Sequence, residues 1–430
     1  MLNTNKYDIQ DTSAKEKIRT GQSFLYRKNG YESMVIEFRL KEAVCGEALT
    51  NSLRQTLKRY FYLTQKMVEI DGDFYLVKNE LPVKLRHSDT LIPLGGVEAN
   101  YQLIDINYYE RNLVISYHHG LCDGRGILPF VRTLLYYYFS TKESQMMKLT
   151  GIQRSSDLLL EGELSEPGYV ELKSAQSDTL PTVHKKGYSL PEARCQTERI
   201  KESYRYEVQI DSDSLMSYAK AVHGTPATVI AYFFSKAIQE VKGNTSEESV
   251  VCNMVTDLRA GAQLENTHRN CVSSLTIPYA EDRNEREEIQ RYRERINAFK
   301  VAENMRNELQ KIIALSDHLD TFPTFEEKQQ VLSFFETLLS DTYILSYIGQ
   351  INLGEYEKYI EEVHTYSSGT RGLSIEILAL SDMFFLDIMQ SFPEDRYVAL
   401  FVKLLAAEGI SVKLSDPIKY RVPKDKIRAV

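Results

Sequence analysis

Apolar and polar positions alternate along the chain with two periods, and the switches between them mark out strands and helices. Ser33–Leu40 alternates enough to be a strand. Residues 47–61 put Leu49, Leu53, Leu57, Tyr60 and Phe61 on one helical face. Residues 74–77 and 83–86 read as short strands, and 101–106 and 113–117 as strands that feed a turn. Beyond the turn, 127–139 carry Ile127, Phe130, Val131, Leu134 and Tyr138 at helical spacing. Periodicity then fades. From Ser140 to about Arg199, Glu, Ser, Pro and Gly become frequent, punctuated by Pro167, Pro181 and Pro191.

A second patterned region begins near Tyr204. Residues 204–210 read as a strand, and 212–222 as a short helix that Gly224 can end. Thr225-Pro226 reads as an N-cap and a first-turn proline. The helix they open runs to about Val241. Residues 249–255 read as a strand that ends at Thr256-Asp257-Leu258-Arg259. Residues 285–315 are charge-rich, yet Ile289, Tyr292, Ile296, Phe299, Met305, Leu309 and Ile312 recur every three or four positions. This predicts one long helix packed on a sheet, its charges solvated. Residues 375–388 supply two strand-like runs and 397–407 a closing helix.

Strands interleave with helices in both regions, which predicts an α/β (α+β) chain. With 430 residues it is too long for one ordinary core. The division expected is a first half over 1–165, a linker over 166–203 and a second half over 204–430. Hydrophobic residues make up 43% and charged ones 26%, the balance of a soluble globular protein. A formal charge of −8 and the lack of a basic stripe argue against nucleic acid as a partner. No run approaches the roughly 18 apolar residues of a membrane span, and the polar first twenty residues are unlike a signal peptide. Cys45, Cys122, Cys195, Cys252 and Cys271 are scattered, without the spacing of a disulfide framework or zinc site. A reducing, cytoplasmic setting is the expectation.

The chemistry concentrates in the turn His118-His119-Gly120-Leu121-Cys122-Asp123-Gly124, between a strand and a helix. Histidine suits general-base work near neutral pH, and His119 is the candidate. Asp123 can brace the loop or bind a basic residue elsewhere. Gly120 and Gly124 allow positive φ and a close approach to the backbone. Cys122 is a second candidate nucleophile, although a small apolar residue suffices there. His118, His119 and Asp123 are also metal-ligand types. Adjacent strand residues point apart, however, and no second cluster completes a site. His87, His184, His223, His268, His318 and His364 lack paired spacing and read as ordinary polar residues.

The pattern His118-His119-x-x-x-Asp123-Gly124 resembles the signature of acyltransferases with the chloramphenicol-acetyltransferase fold. That superfamily includes alcohol, plant and polyketide-associated acyltransferases and the condensation domains of nonribosomal peptide synthetases. The resemblance implies two similar halves, each a mixed sheet with helices, with an active-site tunnel at their interface. It makes His119 the base for a hydroxyl or amine acceptor, with His118 and Gly124 shaping the turn. It makes Asp123 the organiser, paired with an arginine. Arg259 is the expected partner, since Asp-Leu-Arg ends a strand of the second half; Arg39 and Arg54 are the rivals. Asn270 is expected to line the channel. No bound cofactor or metal is implied. Acyl-coenzyme A would be a co-substrate and the chain a monomer. A carrier-protein thioester as donor, or a silent small-molecule-binding module, are the alternatives. The family's Asp-Phe-Gly-Trp-Gly segment is absent; 341–353 stand in its place, with Gln350 where arginine is expected.

Overall fold

The computed structural model describes residues 15–26, 33–144, 147–169, 186–194, 203–337, 341–367, 372–421 and 423. Most of the expected linker, together with Cys195 and His184, lies outside them. In chain order the elements that frame the site begin with β1 (Ser33–Leu40), α1 (Gly46–Arg59), β2 (Ile104–Tyr109), β3 (Asn112–His118) and α2 (Gly124–Ser140). The second region opens with β4 (Ser203–Asp211), α3 (Pro226–Lys242), β5 (Val251–Asp257) and β6 (Val272–Pro278). It continues with α4 (Glu285–Phe299), α5 (Ala302–Asp320), β7 (Tyr343–Gln350), β8 (Ile360–Ser367), β9 (Leu373–Leu380), β10 (Met383–Gln390) and α6 (Arg396–Ala407).

Two large sheets result, and the fold is mixed α/β. The first has five strands in the order β8-β1-β3-β2 and Leu85–His87. The second has eight: β6-β5-β7-β9-β10-β4 and Val412–Leu414, with Ile418–Tyr420 also paired to β4. β7 runs parallel to both β5 and β9, and the remaining pairs of this sheet are antiparallel. The apolar face of α2, from Ile127 to Phe139, belongs to the core of the first sheet. That of α3, from Val229 to Ile238, belongs to the core of the second.

Local chemistry accounts for the boundaries. Thr225 accepts from the backbone of Thr228, and Pro226 occupies the first turn of α3, as its sequence predicts. Asp123 caps α2 by accepting from Gly126 N. Gly349 sits at a bulge of β7 with φ +140, a conformation that costs glycine little.

Residues 285–315 depart from the single helix expected of them. The chain breaks between Phe299 and Ala302, where Val301 is extended (φ −63, ψ 131). α4 buries Ile289 and Tyr292 against the second sheet's core. α5 belongs to a separate cluster in which Met305 and Leu309 meet Leu258 and Cys271. Two cores in different directions cannot be served by one straight axis. Gly261 permits the approach, because a side chain there would strike Met305.

Strand β8 has no counterpart in the sequence reading. It follows β7 in the chain, yet it pairs antiparallel with β1 of the first sheet and packs against β9 and β10 of the second. Its His364, Thr365 and Ser367 are buried between the two sheets.

Candidate active site

β3 delivers the turn. Its last residue, His118, is fully buried, and its Nδ1 accepts from Gly120 N at 2.8 Å. Burial, with His119 beside it, pushes its pKa down to about 3, so it stays neutral and shapes the loop. His119 is one residue beyond the strand. Its Nδ1 lies 3.1 Å from Asn270 Oδ1, and Asn270 Nδ2 donates to the His119 carbonyl. The amide nitrogen is thus committed to the backbone and the amide oxygen to the ring. Nδ1 must carry the proton, which makes Nε2 the basic nitrogen. Phe24 stacks on the imidazole, centroid to centroid 4.0 Å and nearly parallel (6°).

Asp123 works on a different problem. Its Oδ1 accepts from Arg259 Nη2 and from Gly126 N, both at 2.7 Å, and its Oδ2 accepts from Cys271 N at 3.0 Å. Arg259 also donates to the carbonyls of Thr267 and Arg269 and to Asp257. Burial opposes the guanidinium charge, but Asp123 together with Asp257 outweighs it and the pKa rises. The pair clamps 267–271 against the start of α2, and that loop carries Asn270 to His119. Arg39 and Arg54 are engaged elsewhere, with Glu207 and Asn51. Cys122 is buried, and burial, with Asp123 nearby, pushes its thiol up, the reverse of what a nucleophile needs.

The glycines serve proximity and leave φ alone, contrary to the expectation for Gly120 and Gly124, neither of which has positive φ. A side chain at Gly120 would strike Met67 and His118, and one at Gly124 would press on Ile348. Gly126 matters most, since an added Cβ would lie 2.0 Å from the His268 carbonyl oxygen. The turn therefore lies directly against the second region's backbone.

His119 opens onto a cavity of about 410 Å³ between the two sheets. Met34 and Tyr117 line it from the first sheet, and Asn253, Ile344, Ser346 and Glu376 from the second. Ile312, Leu315 and Leu319 of α5 give it an apolar side. A second cavity of about 360 Å³ shares Arg125 and Ile348 with the first and does not include His119.

Glu376 is the residue the sequence reading passed over. It is buried, and burial drives its pKa up to about 8; a hydrogen bond from Ser346 opposes the rise and Asp387 adds to it. One acid inside Leu373-Ser-Ile-Glu-Ile-Leu-Ala-Leu380 was a readable signal. Phe24 and the orienting role of Asn270 left no such trace.

Away from the turn, Glu207, Glu362 and His364 each bring a ligand-type atom within 4.8 Å of the others. Arg39 already bridges both carboxylates, and Arg205 holds Glu207 at 2.7 Å. The carboxylates here are thus neutralised by the chain's own cations. His364 is 1% exposed and lies 3.2 Å from Asp387, so the residue expected to be an ordinary polar one is a buried member of this network.

No family model matches the chain, and no curated protein is similar to it in sequence. Solved structures do match. Polyketide synthase associated protein 5 from Mycobacterium tuberculosis aligns with TM-score 0.59 at 12% identity, over 91% of this chain and 97% of its own. The first condensation domain of the CDA synthetase aligns with TM-score 0.59 at 13% identity, over 93% and 97%. TRI101 of F. graminearum, complexed with coenzyme A and T-2 mycotoxin, aligns with TM-score 0.57 at 13% identity, over 92% and 97%. The chain has the chloramphenicol-acetyltransferase-like fold of these proteins. No helix among the described residues is long and apolar enough to cross a membrane.

Proposed function

We propose that the chain transfers an acyl group from a thioester, acyl-coenzyme A in the first instance, to a hydroxyl or amine. The observation that carries this reading is the held imidazole of His119. Its tautomer is set by Asn270, its plane by Phe24, and it lines a cavity built by both sheets. TRI101, a protein of the same fold, was crystallised with coenzyme A, which supports that donor. Likeness to a condensation domain makes a carrier-bound thioester the second donor to test.

His119 Nε2 takes the proton as the acceptor oxygen or nitrogen attacks the thioester carbonyl. The tetrahedral intermediate places its charge on oxygen. Backbone N–H groups around Gly124, at the N-terminal end of α2 in the cavity wall, are the proposed donors to it. Collapse breaks the carbon–sulfur bond, and the thiolate leaves with the proton held by His119. Asp123 and Arg259 are positioning residues in this scheme. No acyl-enzyme is needed, and Cys122 takes no part.

The test is thiol release from acyl-coenzyme A donors, with and without alcohols and amines, for wild type and His119→Ala. Acceptor-dependent release that falls by ~10²–10⁴-fold in the variant is the expected result. Release unchanged by His119→Ala would overturn the assignment. Release from a pantetheine-loaded carrier but not from coenzyme A would change the donor and keep the chemistry.

A further inference from the structure

One wall of the His119 cavity is polar and unfinished. On β9, Glu376 and Ser374 point to the same face, two residues apart. Register brings Ser346 of β7 beside Glu376, and Ile344 beside both Ser374 and Asn253 of β5. All four polar residues line the cavity. Ser346 hydrogen-bonds to the carboxyl. Glu376 Oε2, Ser374 Oγ and Asn253 Oδ1 are nonetheless buried without a hydrogen-bond partner among the described residues. Among the described residues no lysine, arginine or histidine forms an ion pair with Glu376. Buried polar atoms are nearly always partnered, because an orphan gives up its bonds to water and gains nothing in return. Three on β5 and β9, the two strands that flank β7 in one cavity wall, form a pattern that a ligand would complete.

We infer that the acyl acceptor is a polyfunctional hydrogen-bond donor, a diol, polyol or amino alcohol, whose second polar group is held by Glu376 with Asn253 and Ser374. This rests on the acyl-transfer reading and names its acceptor class. Asn253 Oδ1 can only accept, so the group opposite it must donate. The Glu376 carboxyl, while neutral, can donate to a hydroxyl and accept from one; an entering amine can take its proton. A simple alkanol offers these atoms no further donor, whereas the second hydroxyl or amine of a bifunctional acceptor offers at least one.

The experiment compares chain-matched acceptors: butanol with butanediol, hexanol with hexanediol and hexanolamine. The readouts are kcat/KM by thiol release and, independently, binding by calorimetry without donor. Wild type should favour the bifunctional acceptor by roughly tenfold or more, the worth of one to two hydrogen bonds. In Glu376→Leu the ratio should fall to near one, and Glu376→Gln should retain part of it. Equal kcat/KM for both classes in wild type would overturn the inference and leave acyl transfer standing. If neither coenzyme A nor carrier donors release thiol, acyl transfer fails, and calorimetry decides this inference alone. Tighter diol binding that Glu376→Leu abolishes supports it; equal binding overturns it.

Discussion

Two buried polar clusters occupy the facing sides of the two sheets, and they are finished differently. Around His364, charge answers charge. Arg39 bridges Glu207 and Glu362, Arg205 holds Glu207 at 2.7 Å, and Asp387 lies 3.2 Å from His364 and 3.7 Å from Arg205. Among the described residues, the Glu376 carboxyl is hydrogen-bonded to the Ser346 hydroxyl alone, and three polar atoms around it have no partner. The clusters touch, since Glu376 is the register partner of Asp387. The difference separates a fastener from a receptor. A network whose charges are compensated holds two sheets in one geometry even though Arg205 Nε and Nη1 lack hydrogen-bond partners, while a wall with no cation paired to its carboxyl keeps its hydrogen-bonding capacity for something else.

That contrast breaks most readily at its two histidines. Mutating His119 to Ala should lower kcat/KM by ~10²–10⁴-fold while moving the urea midpoint little. His364→Ala should move the midpoint far more than any other histidine substitution. Similar midpoints for the two variants would show that the networks are not different in kind.

Opposite signs of stability are the next consequence. Asp387→Ala removes the carboxylate beside His364 Nδ1 and leaves the buried cluster short of one negative charge, which should cost about 3 kcal/mol in urea unfolding. Glu376→Leu replaces a partly orphaned carboxyl with an apolar group and should stabilise by about 1 kcal/mol at neutral pH. A destabilised Glu376→Leu would mean that this carboxyl is structural.

The smallest effect is in the pH profiles. Burial alone would lower the His364 pKa, but Asp387, Glu362 and Glu207 raise it to about 9. A raised histidine adds stability that is full below 6.5 and fades as pH climbs through 9. Glu376, raised to about 8, favours the fold while protonated, so its contribution falls between 4.5 and 8. Wild type should therefore lose stability relative to Glu376→Gln as pH rises through the lower window, and relative to His364→Ala as pH rises through the upper one. Coincident windows would mean that the two clusters titrate as one.

Much of this was legible along the chain. The strand–turn–helix around His119 could be read because a period of two gives way to a helical period around residues that terminate and cap. Thr225-Pro226 announced α3 for the same local reason. The pairing of Asp123 with Arg259 was expected from resemblance, and the structure gives it physical content: the pair fixes the loop that bears Asn270. The break at Val301 was not legible, because both helices carry an unbroken apolar stripe and only the position of two separate cores divides them. β8 was missed because strand patterning signals one wet face, and this strand has sheet on both sides, with His364 Nδ1 and the backbone N–H of Thr365 both meeting Asp387.

Sequence by itself determined much of the local grammar: the strand and helix on either side of the turn, where α2 and α3 begin, and that His119 stands at a strand end beside a capping aspartate. Those facts depend on neighbours a few residues away. Tertiary structure decided everything that depends on neighbours far along the chain. It put Asn270 on one nitrogen of His119, and Phe24 on its face. It set β8 between the sheets, and it left Glu376, Ser374 and Asn253 facing a cavity with hydrogen bonds unmade. Periodicity encodes which side of an element is buried; what it is buried against is fixed only when the sheets meet.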